Sequence, residues 1–154
     1  MKKRLNLFTA MLAVLVVVAL AGPLLSRILV GEVTKASFTL RPQALTATTN
    51  GSAVDRLNYQ SMLAVLETGT VTGTSPTMDC VVQESDASGS GFAAISPAVT
   101  FTQVTTSNNS QSKSVDLLGK KRYMRGVCTI AGTSPSFTSS YIFILGEPGV
   151  VPLP

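Results

Sequence analysis

Two look-alike segments constrain this chain more than any other feature: Thr72–Gln83 (TGTSPTMDCVVQ) and Ala131–Phe143 (AGTSPSFTSSYIF). Each is a Gly-Thr-Ser-Pro unit opening into a run that alternates in polarity. Gly and Pro punctuate turns, and a period of two is the mark of a half-buried strand. The pair predicts equivalent hairpin turns at Gly69–Pro76 and Gly132–Ser136. Tyr59–Glu67 would then pair with Thr77–Glu84, and Lys121–Ile130 with Phe137–Leu145.

The remaining pattern extends this to an all-β domain. Phe92–Ile95 and Val99–Val104 read as further strands separated by Ser96-Pro97, and Thr105–Ser114 reads as a polar loop. Short strands with regular turn signals predict an antiparallel β-sandwich of jelly-roll or immunoglobulin-like type over residues 46–154. On Thr77–Glu84 the apolar phase is Met78, Cys80 and Val82, and on Lys121–Ile130 it is Met124, Gly126, Cys128 and Ile130. Both cysteines therefore fall on inward faces. In an exported domain they would form a disulfide, and in a domain kept in the cytoplasm they would be two buried thiols.

Ahead of the domain, Lys2-Lys3-Arg4 precedes an uncharged, mostly apolar run from Leu5 to Leu25. As a helix at about 1.5 Å per residue this run spans a bilayer core. Residues 1–27 thus read as one hydrophobic helix, either a retained transmembrane anchor or a signal peptide cleaved after Ala19-Leu20-Ala21. In either case the basic triplet leaves the β-domain outside the cytoplasm. Residues 28–45 read as a tether ending near Arg41-Pro42.

Charge and residue types narrow the function classes. Residues 1–40 hold five Lys and Arg against one Glu, whereas from Arg41 onward seven basic residues face seven acidic ones. The domain is neutral, so nucleic acid is not an expected partner. The chain has no histidine, which removes Ser-His-Asp triads, Cys-His dyads and His-based metal sites. Asp79 and Glu84 have opposite parity on one strand and cannot act as paired carboxylates. Asp86–Gly91 lacks the distal acid of a calcium loop and reads as a Ser/Gly turn. Asn50-Gly51-Ser52 and Asn108-Asn109-Ser110 match a glycosylation pattern and read as turns. No enzymatic activity, cofactor or metal is expected. The basic strip Lys121, Arg122, Tyr123 and Arg125 is the candidate partner contact, because Arg and Tyr are favoured interface anchors.

Several of these segments together resemble a known family. Asn50–Asp55 leads to Tyr59-Gln60-Ser61 and the Gly69–Pro76 turn. Gln83-Glu84-Ser85-Asp86 precedes Phe92 and Ile95, and Lys121-Arg122-Tyr123-Met124-Arg125, Gly132–Pro135 and Gly146-Glu147-Pro148 follow. Over Thr46–Pro154 this is similar to small β-rich proteins of tailed bacteriophages and prophages, encoded near head and head–tail genes. The apolar N-terminus lies outside the resemblance. The resemblance implies a virion component, a head decoration or head–tail accessory protein, assembling as a homo-oligomer with capsid or tail proteins. The competing expectation is a membrane-anchored or secreted bacterial module for adhesion or carbohydrate binding, with membrane contact through Leu5–Leu25 if it is uncleaved.

Overall fold

A computed structural model describes residues 34–149, and among them no residue is helical. Seven strands are present in this span: β1 (Lys35–Leu45), β2 (Thr49–Asn50), β3 (Val54–Asp55), β4 (Tyr59–Ser85), β5 (Ala93–Ala94), β6 (Asn109–Asp116) and β7 (Tyr123–Pro148). All belong to one antiparallel sheet. Its path runs β1-β7-β4-β5, with β2 and β3 pairing to β7 and β6 to β4.

The sheet is organised by β4 and β7, which have 27 and 26 residues. At about 3.3 Å per residue each would run to roughly 90 Å if straight. A domain of this size has a radius of gyration of only about 13 Å. Both strands must therefore bend, and they do so at the Gly-Thr-Ser-Pro segments. The β4–β7 register shifts between Thr68 and Val71, between Thr72 and Thr74, and between Thr74 and Thr77. Gly73 and Gly132 have φ of 116° and 117°, and Ser75 and Ser134 both have 49°. The two segments thus adopt one conformation and face each other. A Cβ on Gly73 would lie 2.8 Å from the Ser134 carbonyl oxygen and 2.9 Å from Pro135 Cα. One on Gly132 would lie 2.7 Å from the Ser75 oxygen and 2.9 Å from Pro76 Cα. Each glycine accommodates the proline turn of the other strand.

This corrects the predicted pairing. Residues 59–68 pair with 139–148, and residues 77–85 pair with 123–131. Neither expected hairpin exists, because the Gly-Thr-Ser-Pro units are paired kinks in two continuous strands. Gly and Pro signal a break in strand regularity, and a kink with a register shift satisfies that signal as well as a turn does. Three further readings change. Lys35–Leu45, assigned to the tether, forms β1 along residues 137–145. The expected loop Thr105–Ser114 holds most of β6, which pairs with Ser61–Thr68. Val99–Val104 makes only the isolated bridges Val81↔Thr100 and Met78↔Val104. The N-terminal helix, signal or anchor lies outside the described residues, and among those residues no helix is long and apolar enough to cross a membrane.

The core collects the inward phases of both long strands. Met62, Ala64 and Leu66 point in before the β4 kink, and Met78, Cys80 and Val82 after it. In β7 they are met by Met124 and Cys128 and then by Phe137, Tyr141, Phe143 and Leu145. The inner faces of the two sheet halves touch through Gly126, where a Cβ would come within 2.2 Å of the Tyr141 ring. Tyr141 also stacks edge-on against Phe101 at 5.3 Å and Phe143 at 5.2 Å. Edge-to-face pairs add about 0.5–1.5 kcal/mol beyond burial alone. Burial pushes the Tyr141 hydroxyl far above its ordinary range, so it stays protonated.

Gly73→Ala and Gly132→Ala should each lower stability by about 2–4 kcal/mol, combining left-handed strain with a clash against backbone. Gly89→Ala, with nothing within 4 Å of its Cβ position, should change it by less than about 0.5 kcal/mol. Urea unfolding of the three variants separates a paired kink from a tolerant turn.

Candidate functional site

Cys80 and Cys128 are direct cross-strand partners in β4 and β7. They form a disulfide, with sulfurs 1.99 Å apart and Cα atoms 4.1 Å apart. Both are fully buried, at 1% and 0% exposure. The bond ties the two long strands together in the half of the sheet that follows the β4 kink.

The basic strip lies at the start of β7, where β3 and the end of β4 converge. Asp55 is the partner of Tyr123 in the β3–β7 register. Arg122 donates from Nε and Nη2 to both Asp55 carboxylate oxygens, at 2.7–3.1 Å. That hydrogen-bonded guanidinium holds the Asp55 carboxyl below its ordinary value. The Arg122 guanidinium also lies 5.2 Å from the Tyr123 ring centre. Lys121 Nζ is 3.2 Å from Asp86, and its backbone N–H donates to Glu84 at 2.8 Å. Arg125 donates twice to Gln83 Oε1, at 2.8 and 3.0 Å, and caps the Phe92 ring at 4.3 Å. Arg56 reaches in from the β3–β4 connection and donates to the carbonyls of Lys120 and Lys121.

Lys121, Arg122, Tyr123 and Arg125 are therefore brought together and engaged within the chain. They clamp β3, the turn after β4 and the approach to β7 to one end of the sheet. Arg122 and Lys121 keep 48% and 45% of their side-chain surface exposed, so the outer rim of the strip remains accessible. Sequence reasoning missed the partners Asp55, Arg56, Gln83 and Phe92. Each is distant in sequence, and only the β4–β7 register brings Gln83 opposite Arg125. The three carboxylates weighed as a pair or a cation site are engaged within the chain: Asp79 accepts from Gln103, while Glu84 accepts from the Lys121 backbone N–H and Asp86 pairs with the Lys121 ammonium. Ser85 organises the Asp86–Gly91 turn, donating to the Ser90 carbonyl and accepting from the Ala87 N–H.

A second surface was not legible in the sequence. On the outer face of the sheet half built from β1, β7, β4 and β6, Phe38 is opposite Ile142, and Ile142 is opposite Val65. Alongside them run Ala36, Ile144 and Leu63. Phe38 is 42% and Leu63 36% exposed. Arg41 lies over Phe38 at 5.9 Å. The apolar row ends on β6, where Ser112 and Ser114 are opposite Val65 and Leu63. Apolar residues occupy both phases of these strands, so alternation alone does not say which phase is inside.

No protein-family model and no curated protein matches the chain. Solved structures do resemble it. The SPBc2 prophage-derived protein YomS has a TM-score of 0.44 at 10% identity, over 79% of this chain and 100% of that one. A chain in the structure of the infectious bursal disease virus Gx strain has a TM-score of 0.53 at 8% identity, over 76% of this chain and 32% of that one. For the VP2 subviral particle of infectious bursal disease virus the values are 0.48, 8%, 75% and 32%. This chain thus spans about a third of the length of those two viral chains. At such identities the likeness to the Gx-strain chain is one of fold.

Two measurements test this region. The disulfide closes a loop of 48 residues, and the chain-entropy relation for a loop of that length gives about 4 kcal/mol. Cys80→Ala with Cys128→Ala should lower unfolding free energy by at least that amount in denaturant titration. A loss under about 1 kcal/mol would remove the bond from the stabilising interactions. Asp55 has a lower pKa folded than unfolded, so its pairing adds stability above its ordinary value of 3.8 and loses it as pH falls through the folded value. Asp55→Asn should flatten the acid limb of melting temperature against pH below the ordinary carboxyl value of 3.8. The change should be small, because the ion pair is half exposed. An unchanged slope would show that Asp55 does not contribute to it.

Proposed function

We propose that this chain is a non-enzymatic virion structural protein of a tailed phage or prophage, serving as a head decoration or head–tail accessory subunit. The observation that carries the reading is the likeness of the sheet to the infectious bursal disease virus chain, with a TM-score of 0.53 over 76% of this chain. The residue pattern of Thr46–Pro154, similar to small phage proteins encoded near head genes, supports it from the sequence side. On this reading the two halves of the sheet fold face to face about the paired kinks as a sandwich, with the outer face left for neighbours. A rigid block suits a subunit that repeats on a particle. Its inner contacts are a buried disulfide, aromatic edge-to-face pairs and polar side chains bonded within the chain. The exposed rim of Lys121, Arg122, Tyr123 and Arg125 serves as an auxiliary contact for a capsid or tail protein.

One observation favours a second reading, an exported or membrane-anchored module. Persistent disulfides belong to oxidising compartments, and the Cys80–Cys128 bond agrees with the exported placement that the Leu5–Leu25 run implies. Carbohydrate binding is the weaker form of this alternative. Tyr141 is fully buried, which leaves Tyr59 and Tyr123, both half-buried, as tyrosines able to stack on a sugar.

Mass spectrometry of purified virions and of host membrane fractions decides between the two. The virion reading expects the chain in particles, at a copy number that follows the particle's symmetry. Recovery from membranes alone, in a strain without a prophage, would reject it in favour of the anchored module. The same peptides report whether the N-terminus is Met1 or Gly22.

A further inference from the structure

The two outer strands of the sheet half that carries the apolar row are unequally protected. Exposed strand edges are templates for pairing, and proteins blunt them with proline, bulges, charge or a covering segment. β1 has several of these. Pro42 sits within it, its register against β7 shifts twice, and the Ser52 N–H donates to the Thr39 carbonyl at 2.7 Å, laying the β2–β3 connection along its edge. β6 is protected less. Lys113 is its one charge before Val115, and the Gln111 side chain exchanges hydrogen bonds with the Thr102 backbone at 2.8 and 2.9 Å. It contains no proline, pairs with β4 without a register shift from Ser61↔Asp116 to Thr68↔Asn109, and among the described residues pairs through its backbone ladder with β4 alone. Ser110, Ser112 and Ser114 are all exposed.

We propose that β6 is an assembly edge, pairing antiparallel with β6 of a second copy of this chain about a twofold axis perpendicular to the sheet. Antiparallel neighbours related in this way keep the same face on the same side. Two such registers overlap nearly the whole strand, one with Ser112 opposite itself and one with Lys113 opposite itself. The second sets two ammonium groups face to face, which is destabilising. The first places Lys113 opposite the neutral Gln111 of the second copy and Ser110 opposite its Ser114. Lys113, the one charge between Asn109 and Val115, thus selects the register.

The strand is self-complementary in that register, which is why the occupant is another copy. The apolar rows gain from it as well. Phe38, Ile142 and Val65 lead to Ser112 in one copy, and the same row leaves Ser112 in the other. Pairing joins them into one face roughly twice as wide, for further contacts. The proposal does not depend on which reading of function holds, because either an exported module or a virion subunit can pair through this edge.

Full-length chain carrying Ser112→Cys tests it directly. Side chains opposite each other across antiparallel strands are close enough for a disulfide. Mild oxidation should therefore give a covalent dimer on a non-reducing gel, while Ser88→Cys, on the exposed turn after β4, stays monomeric. Ser112→Lys, which leaves the fold intact because the side chain faces solvent, should abolish the dimer seen by light scattering in the otherwise unaltered chain. Equal cross-linking at positions 88 and 112, no cross-linking at 112, or a Ser112→Lys protein with unchanged mass would each overturn the proposal.

Discussion

The contact on which the rest of the sheet depends is the reciprocal packing of two Gly-Thr-Ser-Pro kinks. Strands as long as β4 and β7 cannot remain straight within a domain this small, and a bend in one strand alone would break the ladder with its neighbour. Here both strands bend at the same level, each with glycine at φ near 117° and serine at 49°. A Cβ on either glycine would lie under 3 Å from the proline turn of the other strand. The cost of the left-handed residues and of local register shifts is met once, at a single point. On either side the ladder resumes, which lets both strands serve two halves of the sheet.

The kink also explains the arrangement of the core. Because β4 and β7 continue through it, the apolar phase of each reappears in the second half and joins the same buried core. Gly126 in one half leaves room for Tyr141 of the other, and the Thr39 hydroxyl accepts from the Gly126 N–H at 2.8 Å while donating to the Ser52 carbonyl at 3.0 Å. A larger residue at 126 would lose both the ring contact and that backbone bond. The disulfide lies in the half containing Gly126, where the pairing strands β2, β3 and β5 are only two residues long each. The other half is bordered by the eleven residues of β1 and the eight of β6. The covalent tie thus falls where the ladder outside the long strands is shortest.

How much of this was legible in the sequence varied with the kind of signal. The inward phase of Cys80 was readable, because Asp79 and Gln83 mark the solvent face of the same strand. Burial of Cys128 followed in the same way from the Lys121–Ile130 alternation, although nothing in spacing alone showed that the two cysteines share a register position. The partners of β4 and β7 were not readable. Local punctuation says where a strand departs from regularity, while the choice between hairpin and kink rests on which distant segment lies alongside. β6 escaped notice because Ser, Asn and Gln fill it and its buried residue is Val115, too little for an alternation signal. The Lys121–Arg125 strip was found as a cluster, but its partners at Asp55, Gln83 and Phe92 appear only in the folded chain.

These placements divide the surface by what each region has left to offer. At the start of β7, charge is largely consumed internally, since Arg122 is held by Asp55 and Lys121 by Asp86, and Arg125 is fixed by Gln83 and Phe92. A partner approaching there would have to compete with existing pairs or add to their exposed rim, and neither brings much desolvated area. The outer face of the opposite half differs, because Phe38, Leu63, Val65, Ile142 and Ile144 are apolar and at least partly open. Burial of such surface contributes about 25 cal/mol per Å², and the contact already present there is Arg41 over the Phe38 ring at 5.9 Å. Edge pairing through β6 leaves this face open and widens it, so the serine edge supplies direction and register while burial of the apolar face drives contacts beyond the pair.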